Sequence, residues 1–115
     1  MNRFLFIALA VFLMVSVSFG QRRDEDSNTR SVQGTVTDAT DNIVNGAVVK
    51  LKDSKTLHIR SFITKQDGKF HFHGLNPDID YELKAEYQGA SSDTKTLSTF
   101  DSRKRAVINL KLESK

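Results

Sequence analysis

The chain has 115 residues, a formal charge of +3 and no cysteine. The missing cysteines exclude disulfide staples, Fe–S chemistry, thiolate zinc sites and anchoring through a lipidated cysteine. Basic and acidic residues are interspersed, as in Glu82-Leu83-Lys84-Ala85-Glu86, which is a mixed solvated surface and not a nucleic-acid footprint.

The first twenty residues, MNRFLFIALAVFLMVSVSFG, place Arg3 before an apolar run and end on the small residues Ser18 and Gly20. A basic start, an apolar middle and a small-residue exit describe a secretory signal peptide over residues 1–20. Phe4 to Phe19 is short for a membrane span, which wants roughly 20 apolar residues, so no stable span is expected after cleavage; an uncleaved anchor is the alternative. Export is therefore expected, to the periplasm or outside the cell, and a small exported domain without disulfides points to a bacterial source. Residues 21–30, QRRDEDSNTR, contain no apolar side chain and read as a disordered polar linker.

From Ser31 to the end the dominant period is two. Val32, Gly34 and Val36 alternate with polar residues, as do Ala47, Val49 and Leu51. Next come Ile59, Ser61 and Ile63, then Phe70 and Phe72, then Tyr81, Leu83, Ala85 and Tyr87, and last Ile108, Leu110 and Leu112. Such alternation predicts half-buried strands. A weaker run, Ser92 to Phe100, reads as an edge strand open to strand addition by a partner. Asn45-Gly46, Asp67-Gly68, Asn76-Pro77-Asp78 and Gln88-Gly89 separate the runs with turn chemistry. Six or seven short strands at near-regular spacing predict an all-β sandwich.

Asp67-Gly68 is a strong two-residue hairpin signal, since a type I′ turn needs positive φ at both positions. That turn pairs Thr64 with His71 and Phe62 with His73. It puts Phe70 and Phe72 on the core side with Ile59 and Ile63. His71 and His73 then face outward with Thr64, Phe62, Arg60 and His58. Histidines two apart on a strand stand roughly 7 Å apart, His58 is too far along to join them, and a catalytic zinc wants three protein ligands. No metal site and no cofactor are expected, with His71 and His73 the pair a metal would use. Phe62, Arg60, His71 and His73 form the candidate contact patch.

Gly34-Thr35-Val36-Thr37-Asp38, Gly46-Ala47-Val48-Val49-Lys50-Leu51, Asp67-Gly68-Lys69-Phe70-His71-Phe72, Leu75, Pro77, Tyr81 and Leu83, and a closing Leu110-Lys111-Leu112 stand at a familiar spacing. Over about Ser31 to Leu112 the chain resembles the carboxypeptidase regulatory-like domain in its bacterial, secreted, single-domain form. The resemblance implies a transthyretin-like (prealbumin-like) seven-stranded Greek-key sandwich over residues 31–115. Gly34 and Ala47 would make room between the sheets, and Leu75 and Tyr81 would close one end. The first loop, Asp41-Asn42-Ile43-Val44, departs from the family's Asp-Gly or Gly-x-Pro, with Asn42 expected to take the left-handed turn; Pro77-Asp78-Ile79-Asp80 is one residue longer than the usual Pro-Gly.

No catalysis is expected. The chain lacks Gly-x-Ser-x-Gly, a phosphate-binding loop, His-Glu-x-x-His and the Tyr-Arg-Gly-Ser tail of hydroxyisourate hydrolases, which share the transthyretin fold. An isopeptide cross-link between Lys50 and Asn109 is not expected either, because Lys50 faces solvent and the reaction needs a desolvated lysine. The expected function is a non-catalytic interaction or accessory module whose partner is a protein or an envelope glycan. A carbohydrate-binding module is the alternative; with Tyr81 and Tyr87 turned inward, its platform would fall to Phe62 and Phe100.

Overall fold

The computed structural model describes residues 28–113. The expected signal peptide and most of the expected linker lie outside the described residues. Nine strands follow in order: β1 Arg30–Thr37, β2 Val48–Asp53, β3 Ile59–Ile63, β4 Lys69–Leu75, β5 Tyr81–Tyr87, β6 Ala90–Ser92, β7 Lys95–Leu97, β8 Arg105–Val107 and β9 Leu110–Glu113. The main path runs through seven of them, β3-β2-β5-β6-β9-β1-β4, with β7 added on β5 and β8 on β1. This is the expected all-β sandwich, curled almost into a barrel. Inward-facing residues of each strand meet in one core built on Val32, Val36, Val49, Leu51, Phe70, Leu75, Leu83, Leu97 and Leu110.

The strand periodicity placed most elements correctly. Val32, Gly34 and Val36 do point inward from β1, as Phe70 and Phe72 do from β4. Gly34 is needed at its place, because a Cβ there would meet the Ile108 carbonyl and approach the Phe70 ring to 2.9 Å. Here the C-terminal segment passes β1 in parallel: β8 pairs with Ser31–Gln33 and β9 with Val36 and Thr37. Between the two stretches Asn109 Oδ1 accepts from the Thr35 amide at 3.0 Å. Asn109 thus completes the sheet with its side chain, while Lys50 pairs with Glu86 at 3.1 Å on the other layer.

Five local expectations are corrected. The hairpin at Asp67-Gly68 does not form: β3 pairs with β2 and β4 with β1, so the turn carries the chain from one layer to the other. Gly68 has φ 67° but Asp67 does not have positive φ, and the Gly68 amide donates to the Lys65 carbonyl at 2.9 Å, so the bend spans four residues. In consequence the faces of β3 are exchanged. Ile59 and Ile63 are exposed by 52% and 61%, whereas Phe62 packs on the core and Thr64 is buried. Thr64 Oγ1 donates to the Val44 carbonyl at 2.8 Å and accepts from the Ala47 amide at 2.9 Å.

Ser92 to Phe100 is not one open edge strand. Ser92 ends β6, which lies between β5 and β9, Lys95–Leu97 form β7, which pairs with β5, and the rest of the run lies outside any strand. Nor does Asn42 take the left-handed turn of the first loop; Asp41 does, at φ 71°. Finally, Arg30 opens β1 instead of closing a linker. It is buried to 4% exposure, and its guanidinium donates to the carbonyls of Ser98 at 2.8 Å, Asp101 at 3.1 Å and Ile79 at 2.9 Å. A residue with a long apolar stem and several fixed donors serves as a plug for an open sandwich end.

Arg30→Ala is expected to leave those carbonyls without donors and lower the unfolding free energy by about 3 kcal/mol, read as a shifted urea midpoint at unchanged slope. Acid should act on the loops. Arg103 hydrogen bonds and charge hold the Asp101 carboxyl down to about 2. The Asn42 amide lowers Asp38, and the Thr56 amide lowers Asp53. Carboxyls depressed in the fold stabilise it above their unfolded value of about 3.9 and lose that contribution as pH falls through the folded value. Melting temperature should therefore drop between about pH 4 and pH 2, and Asp101→Asn should flatten part of that drop.

Candidate functional site

Because β3 and β4 go to different layers, they stand at the two ends of the strand path and no backbone pairing joins them. Side chains close the seam instead. The Phe62 ring lies 4.9 Å from the His71 ring and 6.2 Å, edge-on, from Phe72. Arg60 Nη2 donates to the His73 carbonyl at 3.1 Å, and its guanidinium carbon stands 5.9 Å from the centre of the Phe72 ring. The four residues of the expected contact patch do meet, by a route other than the expected one. They were to share an outer face through a β3–β4 ladder. In the structure Arg60 and Phe62 reach over the free edge of β4 from the inner side of β3.

His71 and His73 project from the outer face of β4, where His71 stands opposite Gln33 and Lys69 opposite Thr35. Their separation is the second departure. His71 Nδ1 lies 3.1 Å from His73 Nε2, with ring centres 4.6 Å apart, far closer than a regular strand sets side chains two residues apart. A β-bulge accounts for it. The β1–β4 register pairs Arg30 with Leu75 and Val32 with Phe72, so His73 and Gly74 together oppose Ser31. Gly74 takes φ 69°, a conformation that costs an L side chain roughly 1–2 kcal/mol and glycine nothing. Bulges re-aim side chains, and this one falls at His73, the second of the two histidines. Gly74 is the residue that sequence reasoning missed; its signal is a glycine within an otherwise alternating strand, next to the residue it redirects.

His58 stays apart, near Asp53, Thr56, Arg60 and Tyr81. Phe100 is 95% exposed in the β7–β8 loop, and no ring contact joins it to Phe62 among the described residues. Charge differs between the two outer faces. On β2 and β5, Lys50 meets Glu86 at 3.1 Å and Lys52 meets Glu82 at 3.8 Å. Around β4, β1 and β8 the shallow grooves are lined by Lys65, Lys69, Lys104 and Arg105, with Asp67 as their single carboxylate among the described residues. Among the described residues no cluster of three or more metal-binding side chains occurs.

A two-layer, seven-strand path with a C-terminal segment running parallel to the first strand defines a transthyretin-like sandwich. The chain belongs to the carboxypeptidase regulatory-like domain family, whose family model matches residues 31–113. No match was found among curated proteins. Among solved structures, wild-type catechol 1,2-dioxygenase of Acinetobacter radioresistens is similar at 15% identity and TM-score 0.57, over 80% of this chain and 55% of that one. The dioxygenase domain of a dioxygenase–carbohydrate-binding protein fusion from Streptomyces sp. SirexAA-E is similar at 15% identity and TM-score 0.53, over 74% and 79%. S.CueP is similar at 14% identity and TM-score 0.53, over 75% and 64%. These likenesses are of fold alone; the chain spans about 55% of the length of the catechol dioxygenase.

Phe62→Ala is expected to uncover the Phe72 edge and loosen the seam. The cost should be about 2 kcal/mol, below that of a fully buried phenylalanine. Hydrogen exchange should speed up in β4 while β5 and β9 keep their protection.

Proposed function

We propose that this protein is a non-catalytic sandwich module, exported to the cell envelope or beyond it, that works by engaging another protein at the β3–β4 seam. The observation that carries the reading is the convergence of Arg60, Phe62, His71 and His73 at two strand edges that do not pair with each other. An aromatic ring, an arginine and unpaired strand edges are the elements from which protein contacts are made. Membership of a regulatory-like family supports a binding role over a catalytic one. The dioxygenase likeness brings no chemistry with it, since at 15% identity it speaks for fold only.

Sugar binding is the second reading. It would need an aromatic platform, and no ring contact joins Phe62, at the seam, to Phe100 among the described residues.

Photo-cross-linking in the producing cell tests the proposal. A photoreactive side chain placed at position 62 or 71 should give the same protein adduct, found in the exported fraction. The same probe at Lys50 or Lys84, on the ion-paired face, should give none. Adducts from 50 and 84 but not from 62 and 71 would overturn the site. Glycan binding that disappears in Phe62→Ala and Phe100→Ala would overturn the choice of partner.

A further inference from the structure

The bulge at His73-Gly74 makes two exposed histidines into a geometry that a strand alone does not provide. With metal–nitrogen bonds of about 2.0–2.1 Å, two nitrogens 3.1 Å apart subtend about 95–102° at a shared ion. That angle lies between the right angle of a square complex and the tetrahedral angle. We propose that His71 Nδ1 and His73 Nε2 form a two-histidine chelate for a divalent transition-metal ion, preset by the β4 bulge.

Both rings bind neutral: His71 carries its proton on Nε2 and His73 on Nδ1. In the free chain one of these two nitrogens carries the proton of the hydrogen bond; on binding, that proton moves through water to the far nitrogen of the same ring, so two neutral rings take up the ion without net proton release. The outward course of both side chains leaves the remaining coordination positions to water. Lys69 shares a groove with His71 and Arg60 sits on the His73 carbonyl, and no carboxylate joins the pair among the described residues. Calcium and magnesium, which want oxygen ligands, are therefore disfavoured; copper(II), zinc and nickel, which take imidazole, are favoured. Arg60 donates to the His73 backbone carbonyl and Phe62 lies against the His71 ring, which fixes the backbone at one ligand and packs the ring of the other. The inference does not rest on the protein-partner reading, because the chain by itself should bind the ion.

The test is titration of the tag-free exported chain with zinc and with copper(II) by calorimetry, with electron paramagnetic resonance of the copper form. One ion per chain and a copper signal split by imidazole nitrogen are expected. His71→Ala and His73→Ala should each weaken binding at least tenfold, and Gly74→Ala, which keeps both histidines, by about tenfold, in line with the loss of supporting contacts at other sites. Gly74→Asn, whose side chain tolerates the left-handed conformation, should retain the wild-type affinity, and so should His58→Ala. Thermal melts establish that each variant is folded; if Gly74→Ala is not, Gly74→Asn decides, since lost binding in a folded variant that keeps the left-handed conformation and both histidines would overturn the role of the bulge. The proposal is overturned by absence of heat and of the copper signal. It is equally overturned by wild-type affinity in the His71 and His73 variants, or by loss only in His58→Ala. Wild-type affinity in Gly74→Ala would overturn the role of the bulge.

Discussion

Everything distinctive about this molecule follows from where the chain goes after Thr64. The bend from Lys65 to Gly68 does not fold β4 back on β3; it moves the chain across the core to pair with β1. Thr64 anchors the departure with its hydroxyl between Val44 and Ala47. Gly68 anchors the arrival: its carbonyl accepts from the Val36 amide at 2.8 Å, and a Cβ there would collide with Ile43. Had the bend been a hairpin, β3 and β4 would have satisfied each other's backbone groups. Instead two edges face one another with only side chains between them, which is an opening that natural sheets normally cover or charge. Phe62 covers it, and Arg60 charges it.

The same crossover explains how much of the site was legible. Period-two alternation locates strands without naming their neighbours, so the strand positions and the inward course of Phe70 and Phe72 could be read directly. Which face of β3 is buried depends on its partners. Ile59 and Ile63 looked like the core set because they are the more apolar pair, yet burial went to the face carrying Phe62 and Thr64. A short Asp-Gly signal favoured a two-residue turn, but register and layer are decided by the core that β4 completes against β1. Arg60, Phe62, His71 and His73 nevertheless come together, since they are close in any arrangement that brings the end of β3 beside β4. Arg30 was illegible for a different reason. Its neighbours are all polar, and only the three-dimensional convergence of the Ile79, Ser98 and Asp101 carbonyls gives it something to do inside.

Stability and the candidate site are physically separated along β4. Its inward residues, Phe70, Phe72 and Leu75, are buried and hold the second layer together, while His71 and His73 contribute nothing to the core. A bulge is affordable at this strand because it falls beside the sandwich end, where Leu75 re-enters the core against Arg30 and restores the pairing. The register lost at His73-Gly74 is thus confined to a single step. What the irregularity costs in ladder geometry it returns as direction for one side chain.

That confinement also ties the two ends of the argument together. Arg30 fixes the loops before β5 and after β7 to the start of β1, and Leu75 pairs with it across the sheet. The bulge lies between this pair and the regular Val32–Phe72 pair, so both of its boundaries are pinned by buried residues. An exposed histidine on a free strand edge would sample several orientations. His73 is instead held by a glycine conformation on one side, by Arg60 on its carbonyl and by a register fixed on either side. The surface geometry around His71 and His73 is therefore inherited from the core, through contacts that neither histidine makes.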